Sequence, residues 1–223
     1  MTDTPLSAIA ADFAHVRAWV FDLDHTLYPP EARLFDQIEV RMRAWMMREL
    51  GIEAAEADRL RADYWARYGT TLAGLMAEHG LPADDFLIDV HDIDMGHLDA
   101  DPVLARAIAA LPGRRIVYTN GSNPYALRVL AARGLEGVFD AVYGVEHAGL
   151  VPKPERAAFE AVFGLDGLAP EQGAMFEDDP RNLAVPHAMG MRTVLVGPPG
   201  ALGADHIHHH TSDLAGFVSQ LVR

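Results

Sequence analysis

The sequence contains no cysteine among its 223 residues. This absence excludes disulfide bonds, thiolate nucleophiles and Cys-ligated zinc, and it suits a reducing compartment, so we expect a cytoplasmic protein. No stretch approaches the roughly 18 consecutive apolar residues that a membrane-spanning helix needs. The N-terminal segment MTDTPLSAIAADF lacks the basic start and long apolar run of a secretory signal, and none is expected.

Positive charge is also scarce. The chain has 18 Lys and Arg against 32 Asp and Glu, which gives a formal net charge of −14. Such a surface repels nucleic-acid phosphates and anionic lipid headgroups, and no basic cluster along the sequence offsets it. Since 50% of the residues are apolar and 22% are charged, the composition indicates a folded globular protein. We therefore expect a small-molecule partner, with neither a nucleic acid nor a membrane.

Short apolar segments alternate with helical patterns at the start of the chain and again from residue 100 onwards. This alternation is typical of a parallel sheet with helices on both faces. It predicts an α/β fold, a doubly wound Rossmann-like core formed by residues 1–28 and 100–223. Strands are predicted at 19–21, 115–119, 141–143, 174–177 and 191–196, the last closed by Gly197-Pro198-Pro199-Gly200, and helices at 123–133, 154–163, 180–189 and 212–222.

Residues 29–99 lack the strand pattern. Apolar side chains recur three and four residues apart, as in the segment 31–50, where the predicted helix would end before Gly51. We therefore predict that an all-helical segment is inserted after the first strand.

Polar side chains follow four of the predicted strands. Ligands of open parallel sheets bind beyond the carboxyl ends of the strands, so we expect these side chains to meet at one edge. They are Asp22 and Asp24 after the first strand, Thr119 and Asn120 after the second, Lys153 after the third, and Glu177, Asp178 and Asp179 after the fourth.

This set of residues favours phosphoryl chemistry. Carboxylates such as Asp22, Asp24 and Asp178 supply the hard oxygen ligands that Mg²⁺ prefers. One carboxylate can act as a nucleophile, while a second protonates the leaving oxygen and then activates water. Thr119, Lys153 and the amide of Asn120 can hold phosphoryl oxygens.

Four motifs carry a resemblance to a known family. FDLDHTLY resembles the DxDxT signature of the haloacid dehalogenase-like hydrolases, and TNGS, VPKP and FEDDPRN resemble that superfamily's later motifs in the same order. The resemblance implies that Asp22 is the nucleophile and Asp24 the general acid/base, with its carbonyl on Mg²⁺. It further implies that Thr119 and Lys153 bind phosphate and that Asp178 completes the metal site. The helical segment 29–99 would then be a cap over this site.

Further segments, among them DLDHTLYPP, YGTTLAGLM and VHDID, are similar to bacterial pyrimidine 5′-nucleotidases. This narrower resemblance implies a pyrimidine nucleoside 5′-monophosphate, UMP or CMP, as substrate. Phosphoglycolate, sugar phosphates and phosphomutase chemistry remain open alternatives. A haloacid dehalogenase is disfavoured by the presence of Asp24, and a receiver-like signalling domain by the insertion of about 70 residues.

Four further residues are expected to support the site. Thr26 would brace the loop after the first strand, Glu177 and Asp179 would flank the metal ligand, and Asn182 would either orient Lys153 or cap a turn locally.

Other side chains call for simpler interpretations. His25 stands where the nucleotidases would have Asn, and strand alternation predicts that it points away from Asp22 and Asp24. His91 is expected at the junction of cap and core, and the stretch 206–210 (HIHHH) in an exposed loop. Cap interior is expected for Trp45, Tyr64, Trp65 and Tyr68, with Tyr28 or one of these as a candidate for stacking on a nucleotide base.

Overall fold

The computed structural model describes residues 8–198 and 204–222. Residues 1–7 of the N-terminal segment MTDTPLSAIAADF lie outside the described residues, as do Pro199 and Gly200 of the predicted closing turn. Within the described ranges, six parallel strands form one sheet in the order β3-β2-β1-β4-β5-β6. The strands are β1 (Ala18–Phe21), β2 (Arg114–Tyr118), β3 (Ala141–Tyr143), β4 (Gly173–Glu177), β5 (Arg192–Val196) and β6 (His209–Thr211). The predicted doubly wound parallel sheet is confirmed.

Strand β1 lies in the middle of this sheet. It pairs with β2 on one side and β4 on the other, so that Phe21 lies opposite both Val117 and Phe176. All four residues of β1 are buried, which explains its continuous apolar run, because a parallel strand covered on both faces exposes neither set of side chains. The carboxyl ends of β1, β2 and β4 are therefore neighbours.

Helices cover both faces of the sheet. Trp19 and Phe21 of β1 belong to one apolar cluster, whereas Val20 between them belongs to the cluster on the opposite face, as the alternation of side chains along a strand requires. The helices in the described ranges are α1 (Ala8–Asp12), α2 (Leu34–Leu50), α3 (Ala54–Tyr68), α4 (Thr71–His79), α5 (Ala83–Val90), α6 (Pro102–Ala109), α7 (Asn123–Ala132), α8 (Arg156–Asp166), α9 (Ala184–Ala188) and α10 (Leu214–Leu221).

Helices α2–α5 form the cap, an all-helical insertion between β1 and α6. Helix α2 packs against α3 and α5, and α3 packs against α4. Gly51 ends α2 in the left-handed conformation, with φ of 64°, which glycine adopts without a steric penalty. The division of the chain at residues 28/29 and 99/100 stays a prediction.

The end of the chain differs from the sequence-based expectation. Residues 206–210 are not an exposed loop, because His209–Thr211 pairs with β5 as the edge strand β6 and the ring of His210 bonds the carbonyl of Gly197 at 2.7 Å. Polar residues are suited to such an edge, where one side of the strand lacks a partner. Helix α10 is capped by Asp213, which accepts from the N–H of Gly216.

Two glycines inside helices provide a test of cap packing. A Cβ at the buried Gly74 of α4 would lie 2.2 Å from Cγ of Tyr64, whereas a Cβ at the exposed Gly164 of α8 would meet nothing within 4 Å. We expect Gly164→Ala to stabilise the fold by up to about 1 kcal/mol through helix propensity. Gly74→Ala should instead destabilise it by about 1–3 kcal/mol, because overpacking outweighs that gain. Urea unfolding measures both, and a stabilised Gly74→Ala would contradict the packing described.

Candidate active site

The loops after β1 and β2 begin as continuations of the sheet. The N–H of Asp22 donates to the carbonyl of Phe176 at 2.9 Å, and the N–H of Thr119 donates to the carbonyl of Tyr143 at 3.0 Å. These hydrogen bonds hold the first residue of each loop in register with the neighbouring strand. The buried side chains of Asp22 and Thr119 are thereby fixed at the edge where β4 ends in Glu177.

Lys153 lies at the centre of the site. Its Nζ donates to Asp22 Oδ1 at 2.7 Å, to Glu177 Oε2 at 2.6 Å and to the carbonyl of Tyr118 at 3.1 Å. The side chain is only 1% exposed. A buried ammonium needs such compensation, because an unpaired charge in the interior is very costly. Glu177, expected only as a supporting residue, is a direct ion-pair partner.

Burial strongly affects the protonation of this cluster. Burial first, and the charge of Glu177 second, raise the pKa of Asp22 to about 7 although Lys153 acts in the opposite direction. Burial likewise raises the pKa of Glu177 to about 7. Burial would lower the pKa of Lys153, but its two carboxylate partners outweigh burial and raise it. The lysine therefore stays charged, and a further cation close to the two carboxylates would favour their ionised forms.

The side chain of Asn120 fixes the backbone of Lys153. Its Nδ2 donates to the Lys153 carbonyl at 3.1 Å, and the Lys153 N–H donates to its Oδ1 at 2.8 Å. Asn120 thus performs the orienting role that was one expectation for Asn182. Asn182 itself is buried in the lining of the cavity above the site. The hydroxyl of Thr119 accepts from the N–H of Gly121 at 2.9 Å.

His25 lies within the site, and the expectation that it points away is wrong. Its Nδ1 is 3.5 Å from Asp178 Oδ2, and it lines the same cavity as Asp22 and Asp24. Strand β1 ends at Phe21, and His25 lies in the following turn with a left-handed φ of 60°, so strand alternation does not extend to this residue. The contact with Asp178 raises the pKa of His25.

Three carboxylates form a group that suits a divalent cation. Oxygens of Asp22, Glu177 and Asp178 all lie within 4.8 Å of one another. Hard carboxylate oxygens are the ligands Mg²⁺ prefers, and burial, which raises the pKa of Asp22 and of Glu177, disfavours their charged forms unless a cation compensates them. The donor set therefore fits magnesium. The side chain of Asp24 is outside the group, so its predicted part in metal binding depends on its carbonyl.

Two tyrosines bind Asp24. The hydroxyls of Tyr28 and Tyr125 donate to Asp24 Oδ1 at 2.5 and 2.7 Å. Tyr28 is buried, so it is not free to stack on a substrate base as one expectation had it. Tyr125 was not singled out from the sequence, and the one available signal was its place in the first turn of the helix after TNGS.

The remaining supporting residues act locally. The N–H of Thr26 donates to the carbonyl of Leu23 at 3.3 Å, which closes the turn after β1, while its buried Oγ1 has no hydrogen-bond partner among the described residues. Asp179 caps the turn at Pro180–Leu183 by accepting from the N–H of Arg181 at 2.9 Å. It also forms an ion pair with the Arg181 guanidinium.

His91 joins the cap to the core, as expected. Its Nδ1 is 3.0 Å from Ser122 Oγ, and its ring stacks on Tyr125 with the centroids 4.4 Å apart. Burial lowers the pKa of His91 to about 4. The end of α5 is thereby attached to the first turn of α7 by a neutral imidazole.

A cavity of about 740 Å³ separates the cap from the sheet edge. This volume is within the usual range of small-molecule sites. Phe35, Arg61 and Trp65 line its cap side. Trp65 is 52% exposed, and the Arg181 guanidinium lies 3.6 Å from its ring centroid. Trp65 is therefore not cap interior, in contrast to Trp45 and Tyr64, which are buried as expected.

Comparison with known families agrees with this geometry. A family model described as haloacid dehalogenase-like hydrolase matches residues 16–190. The chain belongs to the haloacid dehalogenase-like hydrolases. It is thus a hydrolase whose matched region runs from the start of β1 past the Lys153 and Glu177 loops.

A curated relative has 25% identity to this hydrolase over 197 residues, covering 80% of the chain and 61% of the relative. It is Phosphate metabolism protein 8 of Saccharomyces cerevisiae. The chain therefore spans about three fifths of the length of that relative.

Solved structures share the fold at low identity. A haloacid dehalogenase-like phosphatase from Thermococcus onnurineus aligns with a TM-score of 0.61 at 20% identity, over 89% of this chain and 94% of that one. The magnesium-bound hydrolase YfnB of Bacillus subtilis aligns with a TM-score of 0.59 at 17% identity, over 92% and 98%. L-2-haloacid dehalogenase of Xanthobacter autotrophicus gives 0.51 at 21%, over 83% and 79%. Phosphatases and dehalogenases thus share this architecture, and the fold alone does not choose between them.

No helix in the part of the chain that the structure describes is long and apolar enough to cross a membrane.

Proposed function

We propose that this hydrolase is a magnesium-dependent phosphomonoesterase that acts through an aspartyl-phosphate on Asp22. The observation that carries the proposal is the buried Lys153 ammonium, 2.7 Å from Asp22, at the edge of a three-carboxylate group. A nucleophile, a cation for phosphoryl oxygens and a place for a metal are thereby assembled at the floor of one cavity.

The proposed reaction has two steps. A carboxylate oxygen of Asp22 attacks phosphorus, and the ester P–O bond breaks while Asp24 gives a proton to the leaving oxygen. Water then attacks the phosphorus of the aspartyl-phosphate, Asp24 takes the proton from that water, and the bond from phosphorus to Asp22 breaks to release phosphate. Lys153 and Thr119 hold the phosphoryl oxygens, with the N–H of Asn120, through both steps.

Asp22 and Asp178 would hold Mg²⁺ with the carbonyl of Asp24, and Glu177 lies close enough to contribute. When bound, the ion supplies charge that offsets the repulsion between a carboxylate nucleophile and a phosphate dianion. The same charge would favour the ionised form of Asp22, whose pKa burial raises to about 7.

We further propose that the substrates are pyrimidine nucleoside 5′-monophosphates. The resemblance to bacterial pyrimidine 5′-nucleotidases supports this choice, and so does the cap side of the cavity. There Phe35 and Trp65 offer aromatic surface for a base, and Arg61 offers hydrogen-bond donors for carbonyl oxygens. The cavity of about 740 Å³ is large enough for a nucleotide.

A substrate panel tests this proposal. Phosphate release would be measured with UMP, CMP, AMP, GMP, phosphoglycolate and glucose phosphates, and halide release with 2-chloropropionate. Faster turnover of UMP and CMP supports the pyrimidine assignment. Equal rates on all phosphate esters would reject that assignment but would still support phosphatase activity. Isomerisation of a sugar phosphate without phosphate release would identify a phosphomutase, and halide release without phosphate release would identify a dehalogenase.

Removal of the metal should abolish activity. After thorough EDTA treatment we expect hydrolysis of UMP to fall to background. Without the positive charge of the metal, the Asp22 carboxylate is repelled by the phosphate dianion that it must attack. Addition of excess Mg²⁺ should restore the rate, whereas added Na⁺ at equal ionic strength should not. Undiminished turnover in EDTA would contradict the assigned metal role.

A further inference from the structure

Two buried hydroxyl groups point at one oxygen of Asp24. The hydroxyls of Tyr28 and Tyr125 lie 2.5 and 2.7 Å from Asp24 Oδ1 and 3.2 Å from each other. Both tyrosines are only 1% exposed. They come from different parts of the fold, since Tyr28 follows the β1 loop and Tyr125 lies in the first turn of α7, 101 residues beyond Asp24.

Packing alone does not account for the hydroxyls. Phenylalanine would fill the same space, and burial of a hydroxyl is costly unless it is hydrogen-bonded. Burial raises the pKa of both tyrosines, so both keep their protons and can only donate to the carboxylate. Two donors on a single acceptor oxygen therefore fix the orientation of the Asp24 side chain.

The two tyrosines are themselves held firmly. The loop that carries Tyr28 is closed by the hydrogen bond from the N–H of Leu27 to the carbonyl of Leu23 at 2.9 Å. The ring of Tyr125 stacks on His91 of the cap. Within the described residues, the hydrogen bonds to the Asp24 side chain both end on Oδ1, which leaves Oδ2 for proton transfer.

We propose that Tyr28 and Tyr125 are positioning residues that hold Asp24 so that Oδ2 exchanges the proton with the leaving oxygen. This inference rests on the proposed phosphatase function and deepens it. As Asp22 bonds to phosphorus and the ester P–O bond breaks, the proton on Oδ2 passes to the departing oxygen. The tyrosine hydroxyls keep their own protons throughout and touch neither substrate nor metal.

Leaving-group dependence tests this role. The leaving group of phenyl phosphate is phenolate, a basic oxyanion that needs the proton. The leaving group of 4-nitrophenyl phosphate is much less basic and needs the proton far less. The parameter to measure is kcat/KM, which reports only the steps up to the breaking of the ester bond. For Tyr28→Phe and Tyr125→Phe we expect losses on the order of 10-fold with phenyl phosphate, part of the roughly 10²–10⁴ that general acid–base catalysis supplies. With 4-nitrophenyl phosphate the loss should be under about 3-fold.

Two controls complete the design. Tyr143→Phe removes another hydroxyl that donates to an aspartate, Asp166, at 2.9 Å, away from the cavity, and should leave the ratio of the two kcat/KM values unchanged. In an Asp24→Asn background, the tyrosine substitutions should no longer change that ratio. Because the ratio is independent of the folded fraction of enzyme, a partly unfolded variant still gives a valid answer.

Equal losses on both esters would overturn the positioning role, as would unchanged kinetics or a further change of the ratio in Asp24→Asn. If the wild-type protein hydrolyses neither of these esters and none of the esters in the substrate panel, the proposed function itself fails, and the positioning role fails with it. Selective loss on phenyl phosphate that disappears in the Asp24→Asn background supports the role.

Discussion

Asp22→Asn is expected to abolish phosphate ester hydrolysis while the protein stays folded. The amide cannot form an acyl phosphate by displacement, so the first step of the proposed reaction is lost rather than slowed. We expect no turnover above background with UMP or 4-nitrophenyl phosphate. The folded state should survive, since the amide oxygen of Asn can still accept a hydrogen bond from Lys153. Glu177 still pairs with the ammonium, and one of two buried, mutually repelling carboxylates is removed.

A matched control for this variant is Asp166→Asn. Asp166 is also an aspartate in an ion pair, with its side chain 0% exposed and 2.6 Å from the Arg114 guanidinium, but it does not line the cavity. Its replacement should change stability and leave kcat per folded molecule unchanged. Full activity in Asp22→Asn would rule out the covalent mechanism, whatever the behaviour of the control.

Lys153→Met is expected to lose both activity and stability. It leaves Asp22 and Glu177 facing each other in the interior without the ammonium that pairs with both. Breaking a buried ion pair by removing one partner costs about 3–5 kcal/mol in the free energy of unfolding. Hydrolysis should also become undetectable, because the cation that holds the phosphoryl oxygens is gone.

A double variant separates these two losses. In Lys153→Met/Glu177→Gln, one uncompensated charge is removed as well, so part of the lost stability should return in urea unfolding. Activity should not return, since the phosphoryl-binding cation is still missing. A double variant that is no more stable than Lys153→Met would contradict the ion-pair arrangement, and a variant that regains turnover would contradict the role of Lys153 in phosphate binding.

The fold was predictable because its signals are local. The run of apolar residues in β1, the helical periodicity up to Gly51 and the polar residues after the strands all depend on neighbours along the chain. The meeting of Asp22, Lys153 and Glu177 at one edge was predictable because each follows a predicted strand, and the carboxyl ends of parallel strands share one edge. The edge strand His209–Thr211 was missed because its polar residues give no apolar alternation, and only pairing with β5 makes it a strand.

Contacts between residues far apart along the chain were harder to predict from the sequence. The clamp of Asn120 on the Lys153 backbone joins residues 33 apart, and the bond from Tyr125 to Asp24 joins residues 101 apart. Neither has a period or a spacing that a sequence shows. The prediction for His25 failed for a different reason, because the strand ends at Phe21 and His25 lies in a turn with left-handed backbone, where strand alternation no longer applies.

The most direct test of the account is to trap the covalent intermediate. Wild-type protein would be mixed with Mg²⁺ and excess UMP, quenched in acid within one turnover, digested, and analysed by mass spectrometry. We predict one phosphoryl group on the peptide that contains Asp22, removed by hydroxylamine as an acyl phosphate is, and absent from Asp22→Asn. A phosphoryl group on another residue, or an unmodified Asp22 peptide while UMP is being hydrolysed, would contradict the mechanism.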